Sequence, residues 1–321
     1  MATMIPPEFP LKRFPGLSAA LLVAAAFAPA AALFVAMPAD AQETSETRAI
    51  DQVSGNLYRW TAGAYHSYFL VHADGIVVGD PLSAKAARWL KDQLANRFPD
   101  KPITHVIYSH NHPDHEYGGR ELDGPGVTFI AQKLAKEDLV RTKADTRIPD
   151  TTFDKTMTLD LKDGQSIVLS YLGTNNGRGS ITEMFPAQKT LFVVDWIVLG
   201  RLPYQKLQGY DLPGMIDSTG AVLKMDFDRF VGGHADMGSK AEVERYLGYI
   251  TALYEGTRDG ILAGKSLAQI QKDLTLSDYS NLKMFAQWRK QNIEGAYNHM
   301  VDDDYYLMRQ DVPKPAGYSA D

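Results

Sequence analysis

The chain contains no cysteine among its 321 residues. This absence excludes disulfide scaffolds, thiol nucleophiles, iron–sulfur clusters and zinc sites that are built from thiolates. Any transition metal must therefore be held by histidine, aspartate, glutamate or asparagine side chains.

An excess of basic charge is also missing. The chain has 33 Lys and Arg against 39 Asp and Glu, so its formal net charge is −6. Nucleic acids and anionic membranes are bound through clustered Lys and Arg, and the composition therefore disfavours both as partners. The chain is 45% hydrophobic and 22% charged, which is the composition of a folded globular protein and excludes a disordered chain.

The first 41 residues have the features of a secretory signal peptide. Lys12 and Arg13 form a basic region, residues 17–37 are rich in Ala and Leu, and residues 39–41 (Ala-Asp-Ala) fit a cleavage site. An uncleaved membrane anchor is the alternative, but Pro29 interrupts the apolar stretch and no basic cluster follows it. A protein without thiols also suits an oxidising compartment. We therefore expect a periplasmic or secreted protein with no membrane contact after cleavage.

Beyond residue 41, strand and helix patterns alternate, which predicts a mixed α/β fold. Apolar positions spaced at 3.6 residues predict a helix capped by Ser83 and a second helix over residues 131–140. The turn Asp163-Gly164 between two strand patterns predicts a hairpin. The predicted strands cover residues 57–60, 68–72, 76–79, 104–109, 127–130, 156–161, 166–172, 181–185 and 190–194.

The pattern becomes helical from residue 239 onward. We expect a catalytic domain over residues 42–238, a helical extension over residues 239–310 packed on it, and a tail over residues 311–321. The helical extension carries an aromatic stripe, which we assign to the hydrophobic core: Tyr246, Tyr254, Phe285 and Trp288.

The residue types that carry chemistry are concentrated directly after the predicted strand 104–109. His110, His112, Asp114 and His115 lie within six residues. A strand end followed by a tight loop holds side chains rigidly toward one point, as a preformed metal site requires. Imidazole and carboxylate together suit zinc, and also iron or manganese. A polar loop of hydrogen-bonded histidines is the alternative, and it explains three His and one Asp poorly.

This segment resembles the signature His-x-His-x-Asp-His of the metallo-β-lactamase superfamily. The resemblance implies an αβ/βα four-layer sandwich with the metal site at one edge between two sheets. It also implies that Asp195, which closes the strand pattern 191–194, bridges two metal ions. His234, which follows a glycine pair, matches the final ligand. The implied cofactor is zinc, one or two ions, or another divalent metal.

One position departs from the family pattern. The family places a histidine after a short turn where this chain has Asn176, counted back from the predicted strand 181–185. The ligand set of His110 and His112 therefore loses one imidazole, and Asn176 offers a weaker neutral ligand or a group that orients water or substrate. The set of Asp114, His115, Asp195 and His234 is complete. We expect the complete set to bind its metal more tightly.

The resemblance implies a metal-dependent hydrolase, and the signal-peptide pattern adds export. The enzyme would use a zinc-bound hydroxide on a small ester, lactone or amide, with Asp114 and Asp195 orienting or carrying the proton. A mononuclear-zinc dehalogenase or phosphoesterase on the same fold is one alternative, and it draws its support from Asn176. A non-catalytic metal-binding protein is the other. The sequence leaves the substrate and the oligomeric state open.

Four further residues are candidates for supporting roles. Asp80, at a strand end, is expected to hydrogen-bond a ligating histidine. His66 precedes an early strand and could contact either a ligand or the substrate. Arg201 and Tyr204 follow Asp195 in a loop that is expected to cover the cleft and bind substrate. Ordinary turn or surface positions are the alternative for each of them.

Overall fold

Two β-sheets lie face to face at the centre of the computed structural model, which describes residues 46–319. The predicted signal peptide over residues 1–41 lies outside the described residues, so export stays a prediction. Within residues 46–319, no helix is both long and apolar enough to cross a membrane.

The first sheet has seven strands in the order of the sequence. Neighbours are antiparallel from β1 to β4 and parallel from β4 to β7. Its strands are β1 (Arg48–Ser54), β2 (Leu57–Ala62), β3 (Tyr65–His72), β4 (Gly75–Val78), β5 (Ile103–Ile107), β6 (Thr128–Gln132) and β7 (Thr151–Phe153).

The second sheet has five strands in the spatial order β12-β11-β10-β9-β8. The neighbours are antiparallel except β11 and β12, which are parallel. Its strands are β8 (Thr156–Asp160), β9 (Ser166–Tyr171), β10 (Ile181–Phe185), β11 (Thr190–Val193) and β12 (Arg229–Gly232).

Helices cover the outer face of each sheet. Because successive side chains of a strand point to opposite faces, Tyr68 and Leu70 of β3 pack between the sheets while Phe69 packs on the helix side. The first sheet is covered by α1, α3 and α4, and the second by α5, α6 and α8. The helices are α1 (Ala84–Arg97), α2 (Pro113–Glu116), α3 (Gly119–Leu122), α4 (Lys133–Thr142), α5 (Leu212–Val222), α6 (Lys240–Leu262), α7 (Leu267–Asp273) and α8 (Phe285–Asn298).

The four layers confirm the predicted αβ/βα sandwich with a helical C-terminal region. The helices after residue 239 share one core with the second sheet, because Val243 and Tyr246 of α6 pack in the same cluster as Leu191 and Val193 of β11. Burial of this continuous apolar face stabilises the extension through the hydrophobic effect.

Some elements lie where the sequence pattern predicted none: β1, β7, β12 and α5. Helix α5 contains Gly214 and Gly220, which are poor helix formers. The helix begins through the Asp211 carboxylate, which accepts a hydrogen bond from the backbone N of Gly214 at 3.0 Å. Packing against α6 then stabilises it.

Candidate metal centre

Parallel strand pairs bring the predicted ligands to one edge of the sandwich. Asp80 follows β4 and His110 follows β5, and these two strands are parallel neighbours. Asp195 follows β11 and His234 follows β12, which are also parallel neighbours. A backbone hydrogen bond from His66 N to Gly233 O, 2.8 Å long, joins the two sheets at this edge. The ends of four strands therefore converge.

The helix α2 presents two more predicted ligands. Pro113 occupies the first turn, where its missing N–H leaves no helical hydrogen bond unmade. Asp114 and His115 follow directly, and His115 is fully buried. The single turn of α2 thus positions the neighbouring side chains of Asp114 and His115 in the site.

Asp195 lies at the centre of the site. Its Oδ2 is 3.1 Å from His110 Nε2, 3.1 Å from His112 Nδ1 and 3.1 Å from Asn176 Nδ2, which donates to it. We call His110, His112 and Asn176 the first group. Asp195 has a backbone φ of +65°, a left-handed conformation that is uncommon for a residue other than glycine.

The other carboxylate oxygen of Asp195 faces a different set of side chains. Its Oδ1 is 2.9 Å from His234 Nε2 and 3.5 Å from His115 Nε2. Asp114 Oδ2 lies 3.7 Å from His115 Nε2 and 3.9 Å from His234 Nε2. We call Asp114, His115 and His234 the second group. Asp195 therefore lies between the two groups with one oxygen toward each.

The residues present fit a divalent metal. The ligand atoms of His110, His112 and Asp195 lie within 4.8 Å of one another, and so do those of the second group. The Nε2 atoms of His115 and His234 face each other at 3.2 Å, an arrangement that a shared cation would satisfy. Among the described residues, the buried Asp195 Oδ1 receives no well-directed hydrogen bond.

The charges of the site act on one another. Burial alone would raise the pKa of Asp195, but His110 and His115 hold it well below the ordinary value, so the carboxylate is ionised. Burial lowers the pKa of His115, whereas Asp195 and Asp80 raise it, to about 10. For His110, burial and His112 together lower the pKa.

The ring nitrogens that point away from Asp195 lie close to neighbouring oxygens. Asp80 Oδ2 lies 3.2 Å from His115 Nδ1, and the Ala64 carbonyl lies 3.2 Å from His234 Nδ1. His110 Nδ1 is 2.8 Å from the Ser109 hydroxyl, which in turn donates to Asp80 at 2.7 Å. Such contacts fix the ring orientation of a ligating histidine. Asp80 therefore lies beside His115 and Ser109, and its role as the partner of a ligating histidine stays a prediction.

Known proteins share this architecture. No family model matches the sequence. The chain is 24% identical over 268 residues to the 2,4-dinitroanisole O-demethylase subunit alpha of Nocardioides sp. (strain JS1661), a match that covers 83% of this chain and 79% of that protein. A metallo-β-lactamase from Pontibacter korlensis superposes with a TM-score of 0.56 at 16% identity, covering 64% of this chain and 99% of that one. The protein has the metallo-β-lactamase fold.

A second solved structure with the metallo-β-lactamase fold extends the similarity. The sec-alkylsulfatase Pisa1 from Pseudomonas sp. superposes with a TM-score of 0.64 at 17% identity. The match covers 78% of this chain and 50% of that one, so this chain spans about half the length of the alkylsulfatase. The resemblance drawn from the His-x-His-x-Asp-His segment is confirmed at the level of the fold.

A cavity of about 870 Å³ lies beside the two groups of candidate ligands. His66, Arg201 and Tyr204 border this cavity, as do Asn176 and Asp195. Asp80 does not border it and lies fully buried beneath His115. His66 Nδ1 is 2.9 Å from the Thr61 hydroxyl, and burial together with Arg59 lowers the pKa of His66 to about 4. His66 therefore faces the cleft as a neutral imidazole at pH 7.

The helical extension also contributes to the cavity, which the sequence analysis did not foresee. Lys283, Met284 and Trp288 line it. Trp288 packs against the core cluster, as the stripe predicted, and it also borders the cavity, whereas Tyr246 from the same stripe is fully within the core. The first turn of α8 lies beside the loop after Asp195, so Trp288 packs on the core with one part of its ring and borders the cleft with another.

Two buried acids behind the site were also missed. Glu116 and Glu183 are fully buried, and burial together with the nearby Asp80 raises the pKa of each well above its ordinary value. Both are therefore held protonated. The Tyr68 hydroxyl donates to Glu183. The only sequence signal was that Glu116 directly follows the ligand segment on α2.

Proposed function

We propose that this protein is an exported, zinc-dependent hydrolase of a small ester, lactone or amide. The observation that carries the proposal is Asp195, whose two oxygens face separate sets of histidine nitrogens at the floor of an open cleft. Histidine-rich donor sets with an open position favour zinc. A divalent cation held by these residues would lower the pKa of a bound water to about 7 and would polarise the group that is attacked.

The two carboxylates take different roles in this proposal. Asp195 stays ionised because its pKa is low, and its side chain is only 8% exposed, so it serves to hold cations. Asp114 borders the cleft with 39% of its side chain exposed. We assign to Asp114 the acceptance of the proton from the attacking water.

Tyr210 is placed to stabilise charge on the substrate. It lines the cleft, and burial together with the charge of Asp195 raises its pKa well above the ordinary value. Its hydroxyl therefore remains protonated and can donate a hydrogen bond. A neutral donor in this position stabilises an oxygen that gains negative charge during attack.

Export and the choice of partner rest on the sequence. The basic, apolar and small-residue regions within residues 1–41 support secretion to the periplasm or beyond. The acidic composition supports a small molecule as the partner, in preference to nucleic acid or an anionic membrane.

Cleavage of an aromatic methyl ether is a second candidate. The observation in its favour is the match to a 2,4-dinitroanisole O-demethylase subunit, which covers 83% of this chain. Hydrolysis of such an ether consumes one water and releases a phenol and methanol. It requires no oxidant, and the same arrangement of Asp114 and Asp195 serves it.

The experiment that tests the proposal combines metal content with hydrolysis. The protein from Gln42 onward is dialysed against metal-free buffer, and zinc per chain is measured by elemental mass spectrometry. It is then assayed with 4-nitrophenyl acetate, a γ-lactone, an anilide and 4-nitroanisole, with and without a chelator. We expect bound zinc and chelator-sensitive hydrolysis of at least one substrate. Bound metal without any hydrolysis would support a non-catalytic metal-binding protein, and a chain without metal would overturn the proposal.

A further inference from the structure

We propose that Arg201, Tyr204 and Trp288 form a subsite for an aromatic ring that carries an anionic oxygen, so that the substrate is an ester or ether of a phenol. This inference rests on the proposed hydrolase and names its substrate class. We call these three side chains the aryl subsite.

The three side chains form one continuous wall of the cleft. The Arg201 guanidinium carbon lies 5.3 Å from the centroid of the Trp288 ring. The ring centroids of Tyr204 and Trp288 are 5.3 Å apart at an interplanar angle of 75°. Edge-to-face pairs and guanidinium stacking are the geometries by which proteins bind further planar groups. The wall borders the same cavity as Asp114 and Asp195.

The aromatic rings of this wall remain accessible from the cleft, although Trp288 also packs against the core. Tyr204 is 49% exposed, and Trp288 is only partly buried. Large aromatic side chains that remain accessible in a cleft offer apolar area to a ligand, and ligand pockets are lined in this way.

Two basic side chains, Arg201 and Lys283, line the cleft, and they differ in whether an ion pair is found for them. Within residues 46–319, no carboxylate forms an ion pair with Arg201, whereas Lys283 in the same cavity lies 2.9 and 3.0 Å from the two Asp236 oxygens. The charge of Arg201 is therefore available to a bound anion. A planar guanidinium beside an aromatic wall suits an oxygen attached to a ring better than a lone aliphatic acid.

The backbone holds this wall in place without help from the Arg201 side chain. Leu202 N donates to Lys283 O at 3.1 Å, and Lys283 N donates to Gly200 O at 2.9 Å. Gly200 has a φ of +75°, and a Cβ there would press on the Asp236 carboxylate, so this position favours glycine. The subsite is therefore preorganised, and its side chains can be changed without loss of the loop.

Hydrolysis of an aryl ester and hydrolysis of an aryl methyl ether would both leave negative charge on the phenol oxygen. In an aryl ester, the oxygen of water bonds to the carbonyl carbon, the carbon–aryl oxygen bond breaks, and the phenolate leaves with the electron pair. In an aryl methyl ether, the oxygen of water bonds to the methyl carbon, the methyl–oxygen bond breaks, and the phenolate again leaves with the electron pair while the proton of the water passes to Asp114. The guanidinium of Arg201 would stabilise that oxygen while Trp288 and Tyr204 contact the ring.

Equilibrium binding of 4-nitrophenolate tests the subsite without turnover. The metal-loaded protein is titrated at pH 8.5 with 4-nitrophenolate, with neutral 4-nitrobenzyl alcohol and with acetate, and metal content is matched between variants. We expect Arg201→Met to weaken 4-nitrophenolate about tenfold and the neutral alcohol less than about twofold, as loss of a charge-assisted contact predicts. Arg201→Lys should restore part of the loss. Trp288→Leu should weaken both aromatic ligands about threefold or more.

A matched control lies elsewhere in the chain. Arg245 also stacks on an aromatic ring, 5.3 Å from the centroid of Tyr279, but does not line the cleft. Arg245→Met should leave all three affinities unchanged. Unchanged 4-nitrophenolate binding in Arg201→Met, or an equal loss for acetate, would overturn the aryl subsite.

The two proposals fail in different ways. If the wild-type protein binds 4-nitrophenolate through Arg201 but hydrolyses nothing, the hydrolase fails and the subsite stands. If alkyl esters are hydrolysed as readily as aryl esters and Arg201→Met changes neither reaction, the subsite is wrong and the hydrolase stands.

Discussion

The two groups of ligands around Asp195 share a carboxylate but differ in how their rings are held. In the second group, His115 and His234 each have an acceptor at the outer ring nitrogen, namely Asp80 and the Ala64 carbonyl. In the first group, His110 contacts the Ser109 hydroxyl, while no hydrogen bond to the outer nitrogen of His112 is found within residues 46–319. Each outer ring nitrogen of the second group therefore has an oxygen nearby, an arrangement that favours a fixed ring orientation.

The groups also differ in their third member. The second group includes the Asp114 carboxylate, whereas the first includes the amide of Asn176. The Oδ1 of Asn176 is buried and without a partner among the described residues. A neutral amide binds a divalent cation more weakly than a carboxylate or an imidazole. Although both groups share Asp195, we therefore expect them to bind a metal ion with different affinities.

The largest expected effect comes from Asp195→Asn, because this change removes the shared charge from both groups. Asparagine tolerates the backbone φ of +65° better than most residues, so the loop should keep its conformation. We expect loss of bound metal from both groups and of more than about 99% of hydrolysis, since even partners of ligands are worth 10–100-fold. Elemental analysis measures the metal, and a thermal melt controls for folding. Retention of two metal ions would contradict the bridging role.

The next effect separates the groups. His115→Ala should abolish activity and the metal of the second group, because His115 is fully buried and lies near Asp80, Asp114 and Asp195. Asn176→Ala should spare that metal. Titration with zinc after dialysis gives the stoichiometry of each variant. Equal loss of all metal in Asn176→Ala would show that the asymmetry is wrong.

A substitution that adds a ligand to the first group tests the same difference between the two groups. Asn176→His supplies an imidazole where the first group has an amide, and we expect its affinity for zinc to rise by about tenfold or more, since nitrogen suits zinc better than an amide oxygen. Competition with a chromophoric chelator measures the affinity. Unchanged affinity would mean that a ring at residue 176 does not reach the first group.

The smallest effect concerns the buried acids behind the second group. Burial raises the pKa of Glu183 well above 4.5 in the folded protein. At a pH between 4.5 and that raised pKa, the side chain is protonated in the folded state and ionised in the unfolded state. The stability it contributes is complete below pH 4.5 and is lost as pH rises toward the folded pKa. In Glu183→Gln, which has no proton to lose, the free energy of unfolding should fall less between pH 5 and pH 8. Urea unfolding at both pH values measures the difference, and identical pH slopes would place Glu183 outside the linkage.

Local sequence signals predicted much of the fold. Ser83 caps α1, and its hydroxyl accepts from Ala86 N at 3.2 Å, as the sequence indicated. The Asp163-Gly164 turn has positive φ at both residues, 63° and 71°, and joins β8 to β9 as an antiparallel pair. Capping and tight turns depend on neighbouring residues alone, which is why the sequence reveals them.

Elements without such local signals were missed. Helix α5 carries two glycines and is stabilised by packing on α6, while β12 is a four-residue strand paired with β11. Trp288 was assigned to the core on helical spacing, and it packs there, but the spacing did not reveal that it also borders the cleft. Periodicity shows which residues share one face of a helix, but tertiary packing determines whether that face contacts the core or a cavity.

The sequence by itself determined the ligand segment from His110 to His115, because one strand end and one helical turn hold these side chains whatever the rest of the chain does. Asp195 and His234 were reached only through a family resemblance, since they lie far along the chain. The tertiary structure decided the rest: which oxygen of Asp195 faces which histidines, that Asp80 supports His115, and that Trp288 meets Arg201 in the cleft. Contacts between distant segments depend on how two sheets and their helices pack, and no local pattern encodes that geometry.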